Sequence, residues 1–364
     1  MLRNFALFPL GALLAGCNLV VLQPAGDIAI QQRNLVIWST VLMLLIVIPV
    51  MILTALFAWH YRASNKEATY DPEWHHSLQL EVVIWTGPLI IIIALGAMTW
   101  TSTHTLDPFR PLARIAPKEP IPANAKPLVI EAVAMDWKWL FLYPEQGIAT
   151  VNELAAPVNR PLEFKITSTS VMNTFYVPAL AGMIYAMPSM EAKLYAVINK
   201  EGVYDGLSGN YSGSGFSRMT FKFLGQSSEG FDQWVSKVKG QNAALTREAY
   251  LQLDRPSENE PVRYYAPVAE GLYDAILNLC VAPGKMCVKE MMQIDAKGGA
   301  GVHSRENREK LEYDYRHMVR GDEPPAATSP ESGRQPGMVQ PQGMQPRPGA
   351  PVREPGHGPD TNKH

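Results

Sequence analysis

Side chains that could bind a metal or act as a nucleophile are scarce in the long C-terminal part of this chain. Between Thr105 and Val302 there is no histidine, and the two cysteines of this stretch, Cys280 and Cys287, come late. Imidazole and thiolate are the groups that hold copper in proteins. No Ser/His/Asp arrangement, glycine-rich phosphate loop or zinc-ligand spacing is visible either. We therefore expect this stretch to bind no metal and the chain alone not to be a catalyst.

Cys280 and Cys287 lie seven positions apart and could form a disulfide if they face an oxidising compartment. The sequence does not fix their geometry, so the bonded and the free form both stay open. Met286, Met291 and Met292 lie nearby, and methionines of this kind more often fill gaps in a core than bind a soft metal.

The N-terminus has the pattern of an export signal. Arg3 precedes an apolar run from Phe5 to Leu14, and small residues lead to Cys17. A positive start, an apolar core of about ten residues and small residues before a cleavage point are typical of a signal peptide. The Leu14–Cys17 run resembles the lipobox of bacterial lipoproteins, which implies cleavage before Cys17 and a lipid on its sulfur. A signal peptide with an incidental Cys17 is the alternative.

Two stretches without any charge follow, 24 residues from Leu35 to Ala58 and 19 residues from Val82 to Trp100. A bilayer core needs about 20 apolar residues, so both stretches predict transmembrane helices. Arg62 and Lys66 lie between them, a positive bias that favours a cytoplasmic loop. If the N-terminus is exported, two crossings return the chain to the periplasm after Trp100.

The rest of the chain predicts a soluble β domain. Six prolines between Leu106 and Pro127 indicate a semi-extended linker, and short alternating apolar runs between turn residues then suggest an antiparallel β sandwich. Helical spacing begins at Phe231, and the last 44 residues contain ten Pro and seven Gly, which indicates disorder. The expected fold is a two-helix transmembrane hairpin, a periplasmic cupredoxin-like sandwich and a small helical appendage. The predicted segments are 1–16 signal peptide, 17–34 periplasmic N-terminus, 35–61 and 81–103 transmembrane helices, 62–80 cytoplasmic loop, 104–126 linker, 127–225 cupredoxin-like domain, 226–320 helical appendage and 321–364 disordered tail.

The formal net charge of -2 and the lack of any Lys/Arg-rich run argue against a nucleic-acid partner. The lipid bilayer is the partner that the composition predicts most directly.

Several long motifs carry a specific resemblance. The runs Met135–Trp139, Tyr143–Glu153, Ser170–Asn173, Ile184–Met187 and Tyr204–Gly206, with Tyr61–Lys66 between the spans, closely resemble subunit II of the cytochrome bo-type ubiquinol oxidases. The similarity extends from about Asp27 to Cys280. It implies a bacterial inner-membrane protein with a copper-less cupredoxin domain. The subunit belongs to a respiratory complex that oxidises ubiquinol and reduces oxygen to water while it pumps protons.

The resemblance also explains the missing ligands. Haem-copper oxidases that use cytochrome c carry two copper ions in this domain, held by two cysteines, two histidines, a methionine and one backbone carbonyl. Those positions fall here on Asn173, Tyr211, Gly215, Met219 and Lys222, with Gly213 at the carbonyl. None keeps its ligand type. The resemblance therefore implies that this chain binds no cofactor and that haem and copper lie in the partner subunit I, with subunits III and IV completing the complex.

Three further residues gain a role from the resemblance. Glu81 opens the second span on the cytoplasmic side and matches a glutamate at the mouth of a proton channel into subunit I, although a simple interfacial carboxylate is the alternative. Trp137 and Trp139 match an aromatic patch that receives electrons from cytochrome c. Without copper behind it, we expect this patch to pack against subunit I or inside the sandwich.

Two hypotheses of different classes stay open at this point. The first is the non-redox subunit of a ubiquinol oxidase. The second is a membrane lipoprotein that serves as a scaffold or assembly factor with a degenerate copper domain. A cytochrome c oxidase subunit is a nearer competitor, and Asn173, Tyr211, Gly215 and Met219 argue against it.

Overall fold

The computed structural model describes residues 19–69, 71–122 and 125–297. The lipobox, Cys17 and the Pro/Gly-rich tail lie outside these residues. Two long helices come first, α1 (Asp27–His60) and α2 (Leu78–Thr105), and both are long and apolar enough to cross a membrane. Large apolar side chains such as Leu45, Trp85 and Ile92 are exposed on them, as expected of surfaces that face lipid or other membrane helices.

Both helices extend beyond the charge-free stretches. Helix α1 begins eight residues before Leu35 because Asp27 is held in place: Arg114 donates from Nε and Nη2 to its carboxylate at 2.8 and 3.1 Å. Asp27 is buried, and its ion pair with Arg114 joins the N-terminal end of α1 to the segment that follows α2. The predicted linker is therefore not simply extended, since it forms a small ribbon from β1 (Arg114–Ala116) and β2 (Glu119–Pro120).

Eleven further strands build the β domain as two packed sheets. The strands are β3 (Leu128–Met135), β4 (Lys138–Tyr143), β5 (Ile148–Val151), β6 (Glu153–Pro157), β7 (Leu162–Ser168), β8 (Asn173–Tyr176), β9 (Ile184–Ala186), β10 (Ala192–Ala196), β11 (Gly202–Ser208), β12 (Thr220–Gln226) and β13 (Arg263–Tyr265). The order of strands is β10-β7-β3-β4-β5-β13 in one sheet and β6-β12-β11-β8-β9 in the other.

Aromatic side chains fill the space between the sheets. The rings of Trp139 and Phe175 meet edge to face at 5.5 Å, and Phe175 stacks on Phe221 at 5.4 Å. Every residue of β4 is buried, because alternate side chains face this core and a second core on the outer side of the sheet. A strand covered on both faces has a continuous apolar run instead of alternation.

The C-terminal appendage covers that outer face with its second and third helices, whereas its first helix packs onto the core between the sheets. It consists of α3 (Ser228–Lys239), α4 (Arg247–Leu253), α5 (Leu272–Leu277) and α6 (Val288–Ala296). Ser227 and Thr246 cap the first two helices by accepting backbone hydrogen bonds from Gly230 and Ala249. The predicted helical appendage also contains one short strand, since Arg263–Tyr265 pairs with β5 and extends the six-stranded sheet.

Candidate functional site

The position of the first expected copper ligand is occupied by a buried amide. Asn173 begins β8 and has no exposed surface. Its Oδ1 accepts a hydrogen bond from the Ser208 hydroxyl at 3.1 Å, and its Nδ2 donates to the Val171 carbonyl at 3.2 Å. Both ends of the side chain are thus bonded inside the protein. The strand pair β8–β11 fixes this geometry, since Ser208 lies directly opposite Phe175.

The loop between β11 and β12 holds the other positions except Lys222, which lies on β12. An indole fills the interior of this loop. Trp137 Nε1 donates to the Ser212 carbonyl at 3.0 Å. A Cβ atom on Gly215 would lie 2.5 Å from Trp137 Cδ2, and one on Gly213 would lie 2.9 Å from Cζ2. Gly213 also has φ of 120°, a conformation that other residues rarely adopt. Glycine is therefore needed at both positions as long as Trp137 occupies this place.

The remaining three ligand positions do not converge. Tyr211 is 76% exposed and packs edge to face on Phe216 at 5.7 Å. Met219 is buried, with Sδ 4.0 Å from the Ser212 hydroxyl. Lys222 is exposed and forms an ion pair with Asp205 on β11.

This donor set does not fit a copper centre. A copper centre of this family needs thiolate and imidazole ligands, and the positions offer an amide, a phenol, a thioether and an ammonium group. Within the described residues there is no group of three or more His, Cys, Asp or Glu side chains that could hold a metal ion.

The structure distinguishes the two tryptophans. Trp139 has no exposed surface and lies in the aromatic core between the sheets, so it cannot contact a partner subunit. Trp137, at the turn before β4, is half-buried beneath the glycine loop. The expected packing within the sandwich describes Trp139, and only Trp137 retains exposed surface that could contact a partner.

Sequence reasoning missed Lys138, which lies between these tryptophans. It is fully buried, and its Nζ donates to the Arg255 carbonyl and the Ser257 hydroxyl, both at 2.7 Å. Burial lowers the pKa of Lys138 to about 8, although the nearby carboxylates of Glu260 and Asp136 oppose this. Lys138 thus connects the appendage loop that contains Arg255 and Ser257 to the turn that carries Trp137. A lone charged residue in an apolar strand was the available signal.

At the N-terminal end of α2, Glu81 has a specific partner. His76 Nδ1 lies 2.6 Å from Glu81 Oε1, and both side chains are exposed on this chain. Glu81 is in the first turn of the helix, where a carboxylate is favoured by the helix dipole. The neighbouring His75 instead contacts the Glu73 carbonyl.

The two late cysteines lie together in the appendage. Their Sγ atoms are 1.93 Å apart and form a disulfide, with the Cα atoms at 4.8 Å. Cys280 packs in the second core and Cys287 immediately precedes α6. The bond therefore connects this short helix to the covered face of the sheet.

Comparison with known proteins identifies the family. Residues 145–223 match the model of the cytochrome c oxidase subunit II periplasmic domain, and residues 239–284 match the COX aromatic-rich motif. Cytochrome bo(3) ubiquinol oxidase subunit 2 of Pseudomonas aeruginosa is 48% identical over 293 residues, which are 80% of this chain and 83% of that protein. Ubiquinol oxidase subunit 2 of Acetobacter aceti is 50% identical over 265 residues, 73% of this chain and 84% of the relative.

A solved structure of the periplasmic domain of cytochrome oxidase subunit II from Bradyrhizobium japonicum is also similar, with 23% identity and a TM-score of 0.31 over 31% of this chain and 94% of that one. The sequence relatives alone decide the assignment. The two membrane-capable helices, the two-sheet domain and the ligand positions without thiolate or imidazole agree with it. The chain belongs to the family of subunit 2 of the cytochrome bo(3)-type ubiquinol oxidases, a subunit of a haem-copper terminal oxidase.

Proposed function

We propose that this chain is the non-redox subunit II of a proton-pumping ubiquinol oxidase of the aerobic respiratory chain. In this proposal subunit I contains the haem and copper and carries out ubiquinol oxidation and the reduction of oxygen to water. Subunits III and IV complete the complex. The chain itself supports assembly and stability of subunit I and binds no cofactor.

The observation that carries this proposal is the occupation of the copper-ligand positions by bonded or bulky groups. Asn173 uses both ends of its amide within the protein, and the Trp137 indole occupies the space above Gly213 and Gly215. A metal centre could form there only if this packing were rebuilt. Electrons must therefore reach the oxygen-reducing site without passing through this domain.

Metal analysis of the purified complex tests this proposal. We expect the copper content per complex to equal that of subunit I alone, and copper added in solution to leave it unchanged after desalting. Two additional copper ions per complex would contradict the proposal. Haem that co-purifies with the chain would separate the oxidase subunit from the scaffold hypothesis, which the family relationship does not support.

We also propose a location in the bacterial inner membrane with a lipidated N-terminus. The large β domain would lie in the periplasm, and the loop with Arg62 and Lys66 in the cytoplasm. A thioether-linked diacylglycerol on Cys17 would add an anchor to the two helices. Mass spectrometry of the mature N-terminal peptide tests this, since an unmodified Cys17 would exclude lipidation.

Glu81 is proposed to take up protons on the cytoplasmic side. Carboxylates at the edge of a membrane often mark proton paths, and oxygen reduction consumes protons. The contact with His76 supports this role, because an imidazole within hydrogen-bond distance can pass a proton to the carboxylate.

A further inference from the structure

A cavity of about 240 Å³ lies where the two membrane helices meet the β domain. Its walls come from the first turns of α1, from the segment after α2, and from the β domain near Gly182 and Tyr195. It is separate from the degenerate copper positions and from Glu81. Three parts of the chain that are distant in sequence thus close around one space.

The cavity lies at the depth of lipid headgroups. Gln32 lines it and is three residues before Leu35, which corresponds to about 5 Å along a helix. Thr105 also lines it and is five residues beyond Trp100, or about 8 Å. The headgroup region of each leaflet is roughly 5 to 8 Å thick. With Leu35 and Trp100 at the edge of the hydrocarbon core, these distances place the lining residues at the level of the lipid headgroups.

Two guanidinium groups face this space. Arg114 donates Nε and Nη2 to the buried carboxylate of Asp27, and Arg110 donates Nη1 to the His104 carbonyl at 3.1 Å. A guanidinium group has five N–H donors, so these bonds leave donors on each arginine for a ligand. Guanidinium recognises phosphate in a forked geometry. Asp27 and Asp107 also line the cavity, so its formal charge is balanced.

Exposed apolar side chains lie close in sequence to the residues that line the cavity and provide apolar surface. Phe109 is 54% exposed beside Arg110, and Trp100 and Ile37 are exposed at the periplasmic ends of the helices. A free phosphate ion would make no use of this surface, whereas acyl chains would cover it. Balanced charge suits a headgroup that carries both a phosphate and an amine.

We propose that this cavity binds the headgroup of one zwitterionic phospholipid of the periplasmic leaflet, with its phosphate between Arg110 and Arg114 and its acyl chains along α1 and α2. Such a lipid would fill the cavity where the membrane helices meet the β domain. The Asp27–Arg114 ion pair would then serve two purposes, because it holds the N-terminal end of α1 and orients one phosphate-binding group.

Lipid retention by the purified complex is the first test. Arg110→Gln removes a guanidinium that is exposed and makes no ion pair in the described residues, and Gly182→Leu places a side chain into the cavity without changing charge. We expect each variant to lose about one tightly bound phospholipid per complex. Arg247→Gln is the matched control, an exposed arginine on α4, and should retain the wild-type number. Equal retention in all four proteins would overturn the proposal.

Photo-crosslinking identifies the occupant. A benzoylphenylalanine in place of Phe109 would be introduced into the full complex in vesicles of phosphatidylethanolamine and phosphatidylglycerol. We expect a phosphatidylethanolamine adduct on this peptide, weakened by Arg110→Gln and unaffected by excess inorganic phosphate. An adduct with a peptide of another subunit would show a protein contact instead. Loss of the adduct in phosphate would show a small-anion site, and either result would overturn the proposal.

Discussion

The carboxamide oxygen of Asn173 accepts a hydrogen bond from the hydroxyl of Ser208 across 3.1 Å, and neither residue is accessible to more than a trace of solvent. The position at which the resemblance implies a copper-ligating histidine therefore carries an amide that hydrogen-bonds to the neighbouring strand of the same sheet. This amide is part of the protein interior.

Replacement of Asn173 by Ala should therefore reduce stability and leave catalysis intact. The variant leaves the Val171 carbonyl and the Ser208 hydroxyl without their amide partner, which costs about 1 to 3 kcal/mol. Thermal unfolding of the chain in detergent measures the loss, and ubiquinol-dependent oxygen uptake of the complex should stay at the wild-type level. Ser214→Ala removes an exposed hydrogen bond to Glu258 in the neighbouring loop and should change stability by less than about 0.5 kcal/mol. A turnover defect specific to Asn173→Ala would contradict this assignment.

The two tryptophans should behave differently. Trp139→Ala empties a site in the aromatic core and should lower the free energy of unfolding by about 3 to 5 kcal/mol. Trp137→Ala should cost less, because the indole is half-buried and loses one hydrogen bond to Ser212. Chemical denaturation of both variants checks the order. Equal losses, or retention of full stability by Trp139→Ala, would be inconsistent with the packing.

Glu131 should make the β domain more stable in acid. Burial raises its pKa to about 7, Lys165 on the adjacent strand opposes the rise, and Glu191 adds to it. The folded state therefore binds a proton more tightly than the unfolded one, and this contribution is lost as the pH rises from 4.5 through 7. Tyr273 of α5 lies in the same electrostatic environment, since burial raises its pKa and both Glu191 and Glu131 add to the rise.

A neutral substitution isolates this effect. Glu131→Gln should match the wild type near pH 5 and exceed it at pH 8 by about 2 kcal/mol, since one pKa unit corresponds to about 1.4 kcal/mol and partial exposure weakens the effect. Unfolding curves at both pH values measure this. Glu119→Gln, on the exposed ribbon strand β2, should show no such pH dependence. A variant advantage that is the same at both pH values would disprove the explanation.

If Glu81 takes up protons through His76, substitutions at both positions should slow oxygen reduction. Glu81→Gln should slow oxygen reduction several-fold at saturating ubiquinol with little change in the KM for ubiquinol, and His76→Gln should show a smaller decrease. His75→Gln is the matched control, because this ring contacts a backbone carbonyl instead. Unchanged turnover in Glu81→Gln would remove the proton-uptake role. A loss in Glu81→Gln alone would remove only the contribution of His76.

Much of the architecture follows from sequence patterns that reflect local physics. Uninterrupted apolar runs predicted both membrane helices, and alternation predicted a strand at Leu162–Ile166, where every second side chain faces the core and which β7 contains. The short strand Arg263–Tyr265 was missed because three residues carry no usable alternation. Its strand character comes from pairing with β5, a contact between residues more than a hundred positions apart.

The side-chain environment was harder to predict than the fold. Trp137 and Trp139 look equivalent in sequence, yet the positive φ of Trp137 at the turn places its indole over the glycine loop and leaves Trp139 in the core. Neither the partners of Lys138 nor the Asp27–Arg114 pairing could be predicted from the sequence, since the bonded groups are 117 and 87 positions apart. Only the folded chain brings such groups together.

Oxygen uptake by the detergent-purified complex, supplied in parallel with ubiquinol and with reduced cytochrome c, tests most directly whether electrons bypass the β domain of this chain. The bonded Asn173 and the indole-filled loop predict rapid uptake with ubiquinol and none above background with cytochrome c. Rapid uptake with cytochrome c would contradict the proposed non-redox role of this subunit, because electrons would then enter the complex by a route that these residues do not provide.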